Sequence, residues 1–169
     1  ALEMAKRAVQ MNREMRAMPQ VSNHLEGLGR YYLLLGEYDQ AQQALEEGLQ
    51  LSQKSNSRLL QCFFKLDLGL LALSRGQALQ SYQVLREPCD HSRALGFNQL
   101  LWPGLAWLGA ACLALGKPQE ALVYTSDAVE QLRASGNSAT ECPPQEIYWW
   151  HYQALRAVEA GPITPSTAS

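Results

Sequence analysis

The sequence predicts an all-α fold, an array of stacked antiparallel helix pairs, and three observations carry that expectation. Two glycines recur at a fixed step of 40 in the numbering: Gly29, Gly69 and Gly109 form one series, and Gly36, Gly76 and Gly116 the other. Leu28, Leu68 and Leu108 precede the first glycine each time. Apolar and small residues then follow helical spacing, as in Tyr38, Ala41, Leu45, Gly48, Leu49 and Ser52, and positions i, i+3, i+4 and i+7 share one helix face. Self-similarity at such a period signals repeated helical units that bury their faces against neighbours.

The chain opens with a helix over residues 1–17. Ala1, Ala5, Ala8 and Val9 fall one such step before Ala41, Leu45, Gly48 and Leu49. Residues 1–19 therefore read as the second helix of a repeat whose first helix is absent, as though cut from a longer array.

Repeat one spans 20–57. Its helix A covers about 22–35, with Ser22 or Asn23 as N-cap because a side-chain oxygen there can accept a first-turn N–H. Gly36 ends it, since glycine accepts the left-handed backbone of a helix terminus. Helix B starts near Tyr38, with Glu37, Asp39, Glu46, Glu47 and Gln50 off its inward stripe. Repeat two spans 58–97 and is the most degenerate. Its helix A carries Phe63, Phe64, Leu66, Leu68, Leu70, Leu71 and Leu73, and a helix apolar nearly all round is buried on more than one face. Helix B starts near Ala78 and meets Glu87-Pro88, where a missing N–H and a ring clash predict a kink or an end near Arg86.

Repeat three spans 98–138. Trp102-Pro103-Gly104 opens helix A, which places Pro103 in the first turn. Gly116-Lys117-Pro118 makes the turn, Ala121, Tyr124, Thr125, Ala128, Val129 and Leu132 the next inward stripe, and Ser135-Gly136-Asn137-Ser138 the closing loop. Residues 141–160 form a C-terminal capping helix after Pro143-Pro144. Trp149 stands one step beyond Gly109, so the close contact of the earlier units is barred and an aromatic face should cover the stack. The Pro-, Ser- and Thr-rich residues 161–169 are expected to form a disordered tail.

Composition narrows the function. Hydrophobic residues make up 47% of the 169 and charged residues 18%, which allows a continuous core and suggests that some surface is covered. A net charge of -2 offers no basic face for nucleic acid. No apolar run reaches the roughly 20 residues that span a bilayer, and no signal peptide pattern opens the chain, so a cytoplasmic location is expected. Cys62, Cys89, Cys112 and Cys142 form no CxxC pair and read as reduced thiols, Cys112 in the core, although four cysteines could also pair as disulfides.

Cys89-Asp90-His91 juxtaposes three reactive groups, yet successive helical residues point in different directions, so a polar helix-end cluster is expected. His24 and His151 are placed at the surface. No HExxH, GxSxG, P-loop or GxGxxG occurs. No enzyme, metal or cofactor is predicted.

Leu28-Gly29, Tyr32, Gly36, Tyr38, Ala41 and Leu45 resemble the tetratricopeptide (TPR) repeat, with its L-G-x2-Y core and later alanine. Leu108-Gly109, Gly116, Pro118, Ala121 and Ala128 resemble it too, and Leu68-Gly69, Ala72 and Gly76 more weakly, with Ser81 at the alanine position. The resemblance covers residues 1–160. It departs in its period, about 34 in the family, in Leu25, Lys65 or Leu105 at the tryptophan position, and in lacking the closing proline. It implies a right-handed α–α superhelix. It is similar to the long-period arrays of large bacterial signalling proteins: STAND-type ATPases, LuxR-like regulators and nucleotide cyclases.

The groove positions of TPR helix A fall on Asn23, Glu26, Arg30 and Leu33, on Phe63, Leu66, Leu70 and Leu73, and on Pro103, Ala106, Ala110 and Leu113. Glu146 and Trp150 follow on the cap. The resemblance thus implies a concave groove, apolar-floored and polar at one end, for an amphipathic helix or extended peptide. The Lys and Asn of a two-carboxylate clamp are missing. The expected function is a non-catalytic protein–protein interaction scaffold without a cofactor. The alternative is a regulatory or oligomerisation segment of such a signalling protein, its leucines buried against a second copy in a homodimer or against further domains. On the groove reading, Leu66→Asp with Leu70→Asp spares folding.

Overall fold

The computed structural model describes residues 2–136 and 142–161. Among them eight helices follow one another: α1 (Leu2–Glu14), α2 (Met18–Leu35), α3 (Tyr38–Lys54), α4 (Arg58–Ser74), α5 (Ala78–Leu95), α6 (Asn98–Ala114), α7 (Pro118–Ala134) and α8 (Pro144–Glu159). Ala1, the Asn137-Ser138 end of the expected loop and the tail beyond Gly161 lie outside the described residues.

Helices α2 to α7 begin at positions 18, 38, 58, 78, 98 and 118, so one helix and its turn take up half the interval that the glycines mark. The six junctions from α1–α2 to α6–α7 are built alike. A residue with positive φ sits at 16, 36, 56, 76, 96 and 116. The next N–H then reaches back to a carbonyl five positions earlier, as in Glu37 to Tyr32 at 2.9 Å and Phe97 to Ser92 at 2.8 Å. That bond satisfies a carbonyl that the helix end would otherwise orphan. Arg16 (φ 54) and Asn56 (φ 53) hold this turn without glycine, so the glycine spacing hides the shorter repeat.

Three local expectations give way to packing. Helix α2 starts earlier than expected, at Met18, and Ser22 is no cap: it is buried and donates to the Gly48 carbonyl at 3.3 Å. Helix α5 continues past Pro88 to Leu95 instead of ending near Arg86. Pro103 lies at the sixth position of α6 and not in its first turn. Both prolines are buried. Neighbouring helices hold the backbone helical although each ring removes one intrahelical bond.

Consecutive helices pack on one another, and α2–α3, α4–α5 and α6–α7 are the most intimate pairs. The even-numbered helices also touch in series, α2 to α4 to α6 to α8, while among the described residues no two odd-numbered helices come as close. Helix α6 meets α4, α5, α7 and α8 and is buried at every residue from Leu100 to Cys112. It is more enclosed than α4, where Phe64, Leu66 and Leu71 are buried but Phe63, Leu68, Leu70 and Leu73 only half so.

Within each pair a glycine of the first helix receives a side chain of the second, always at the same sequence offset. An added Cβ at Gly29 would stand 2.5 Å from Leu45, and one at Gly69 or Gly109 would collide in the same way with Leu85 or Thr125. Between repeats the fit changes sides. Gly48 on α3 takes the Phe64 ring, which an added Cβ would strike. One period on, Pro88 replaces that glycine and Gly104 replaces the phenylalanine, with Cys89 and Leu66 filling the notch at 2.6 and 2.8 Å from an added Cβ. Overpacking such a contact costs about 1–3 kcal/mol. Gly48→Ala should destabilise by that amount in wild type and by at least about 1 kcal/mol less in a Phe64→Leu background. Additive effects in denaturant titration would show that the ring does not fill the notch.

Candidate partner-binding face

The residues expected in a groove sit on α2, α4, α6 and α8, the four helices that touch in series. On α2, Asn23 is exposed and Glu26, Arg30 and Leu33 are half-buried. The Arg30 guanidinium lies 3.7 Å from Glu26 Oε1 and 3.9 Å from Asp67 Oδ1 on α4, and so spans two helices. Asp67 is the one buried charged residue among the described residues, 2% exposed. A carboxylate among leucines is tolerated only when paired, which places the arginine. In the sequence Asp67 is only a break in an apolar run. The available signal is that such a break inside a buried helix needs a cation.

Helix α4 contributes Phe63, Leu70 and Leu73, all half-buried, and Leu66, which is 3% exposed. On α6, Pro103, Ala106 and Ala110 are buried and Leu113 is half-buried. Arg30, Phe63, Leu66 and Pro103 do meet, around Asp67, Leu100 and Trp107, but they enclose only about 10 Å³, no more than one water needs. The floor is therefore closed. Leu66 belongs to the buried core cluster that also holds Leu105 and Ala106, and its burial argues against the expectation that Leu66→Asp with Leu70→Asp spares folding.

Helix α8 closes the series. Trp107 Nε1 donates to Glu146 Oε1 at 2.9 Å, tying α6 to α8. Ile147 and Ala154 make its fully buried contacts, with Tyr148 and Trp150 packed beside the core. Trp149 and Tyr152 are 54% and 50% exposed, their rings 6.3 Å apart. The expected aromatic cap is thus split between two sides of the helix. What stays accessible along the series is a rim of Asn23, Glu26, Arg30, Phe63, Leu70, Leu73 and Trp150. Phe63 also reaches a cleft of about 590 Å³ with Leu59, Phe97 and Trp102.

Reactive groups are dispersed. Cys89 is buried, Asp90 is exposed and His91 Nδ1 lies 3.8 Å from Glu87 Oε1. All four cysteines are buried and unpaired, and burial raises their pKa values, that of Cys112 to about 11, away from the reactive thiolate. Among the described residues no three His, Cys, Asp or Glu side chains gather as metal ligands, and no helix is long and apolar enough to cross a membrane. His24 is exposed. His151 is not at the open surface as expected: it is half-buried with Nδ1 3.2 Å from Thr125 Oγ1.

Comparison with protein-family models finds no match to this chain, and comparison with curated proteins finds none either.

Burial, assisted by Arg133, lowers the His151 pKa below its ordinary 6.5. Its contribution to stability is present above the unfolded value and is lost as pH falls through it toward the lower folded value. The melting temperature should therefore drop between about pH 7 and about pH 5 more steeply in wild type than in His151→Gln. Equal slopes in a thermal-melt series would show that His151 titrates as if unfolded.

Proposed function

We propose that the protein is a non-catalytic interaction scaffold of TPR-like helix pairs, wound as a right-handed superhelix, that holds a peptide or helix of a protein partner along α2, α4, α6 and α8. The observation that carries this reading is the serial contact of those helices with no equivalent contact among the odd-numbered ones in the described residues. Helices that converge on one side make that side concave. Along it, apolar Phe63, Leu70, Leu73 and Trp150 neighbour the charged Glu26 and Arg30, a composition suited to an amphipathic segment anchored by a few apolar side chains. Binding here involves the rim, because Leu66, Ala106 and Ala110 are committed to the core.

A second reading, a regulatory or oligomerisation segment, is favoured by the apolar surface on the terminal helices. Met4, Met11 and Met15 on and just after α1 are 76%, 51% and 73% exposed, and Trp149 and Tyr152 on α8 are similarly open. Clusters of that kind mark association surfaces.

The test uses Leu70→Asp with Leu73→Asp. The double variant should keep the helical circular dichroism signal, whereas Leu66→Asp alone should lose it. Peptides selected from a random display library on wild type should bind the double variant at least about ten-fold more weakly, about 1.4 kcal/mol. Equal binding would contradict the rim. A dimer in light scattering that persists in the double variant would favour the second reading.

A further inference from the structure

The seams between odd-numbered helices are built from equivalent positions of successive repeats, and an aromatic ring fills two of the three. Between α5 and α7 the ring is Tyr82. It stands edge-on to Tyr124 with centroids 6.4 Å apart, donates its hydroxyl to Glu120 Oε1 at 2.5 Å, and has Lys117 and Arg86 over its face at 5.4 and 5.9 Å. Between α1 and α3 the ring rises from the floor: Tyr32 on α2 lies under Lys6 Nζ at 5.8 Å.

The middle seam, between α3 and α5, has neither ring. Gln42 stands at the position of Tyr82 and Ala72 at that of Tyr32, while Val84 and Gln80 replace Tyr124 and Glu120. A cleft of about 310 Å³ opens there, walled by Gln42, Glu46, Gln77, Gln80 and Val84 with Leu71 and Ala72 beneath, a size at the lower end of small-ligand sites. One wall carries Arg75, whose guanidinium donates to Asp39 Oδ1 and Gln42 Oε1, each at 2.6 Å.

We propose that this cleft is a binding site for a tyrosine side chain of a partner protein. The flanking seams point to the occupant, since each closes the equivalent space with a phenol ring. Glu46 and Gln77 stand where Lys6, Arg86 and Lys117 supply the cation there, and Arg75 brings a cation to this cleft from another position. The incoming ring lies on the Leu71–Ala72 floor beside the Arg75 guanidinium, a cation–π arrangement. Its hydroxyl donates to the amide oxygen of Gln80, the counterpart of Glu120. Cleft and rim share no residue, so this site stands or falls independently of the groove.

The test is titration of p-cresol, the tyrosine side chain as a free molecule, and of N-acetyl-tyrosinamide into the 15N-labelled chain. Amide shifts should centre on Gln42, Leu71, Ala72, Gln80 and Val84, with N-acetyl-leucinamide at least about ten-fold weaker. Gln42→Tyr supplies the missing ring internally, and should raise the melting temperature and abolish the shifts. Val84→Tyr fills the same space from the opposite wall and serves if Gln42→Tyr does not fold. Absence of shifts at these residues, equal shifts with the leucine analogue, or undiminished binding in a folded filled variant would overturn the proposal.

Discussion

Close approach within each helix pair is the constraint on which the rest depends. Gly29, Gly69 and Gly109 leave no room for a Cβ, because Leu45, Leu85 and Thr125 already occupy it. A constant offset between notch and knob fixes the length of chain between two crossing helices. The turn must then be short. It is made by one left-handed residue and one bond back to the last helical turn, as at Gly36 and Glu37. The regular advance of the helices along the chain follows from these two requirements together.

Stacking then distributes burial unevenly. Helix α6 packs against four other helices and is buried along its middle, which is why Pro103 is tolerated within it. The even-numbered helices converge and lock across one another, through Arg30 and Asp67 at one end and Trp107 and Glu146 at the other. The odd-numbered helices stand further apart and are bridged by long side chains, as by Arg13 with Glu47 and Arg93 with Asp127. One layer thus offers a continuous rim, the other a set of seams that must be plugged or left open. Both proposed binding sites are consequences of that difference.

Much of this was legible in the sequence. Glycine and leucine spacing located the close crossings, and the inward stripe of α7 is buried at Ala121, Thr125, Ala128, Val129 and Leu132. The finer period was hidden because Arg16 and Asn56 adopt a backbone normally signalled by glycine. Of the two outcomes expected at Pro88, an end near Arg86 does not occur, because a local cost of roughly 3 kcal/mol is outweighed when flanking helices bury the same segment. The candidate face was legible only by register. Arg30, Phe63 and Leu66 do converge, but nothing in a pattern of leucines tells a groove floor from a helix–helix contact, and Leu66 proved to be the second. Asp67 and the seam tyrosines were recoverable in principle, by asking which charge lacked a cation and which repeat lacked a ring.

Native-state hydrogen exchange followed by NMR tests most directly whether neighbours set the stability of each helix. In a linear array, protection follows the number of packed neighbours. The amides of α6 should exchange slowest, at the rate of global unfolding, with α4, α5 and α7 close behind. Helix α1, whose one close backbone neighbour among the described residues is α2 and which reaches α3 through the Arg13–Glu47 ion pair, should open first. Uniform protection from α1 to α8, or faster exchange in α6 than in the terminal helices, would contradict the packing hierarchy described above.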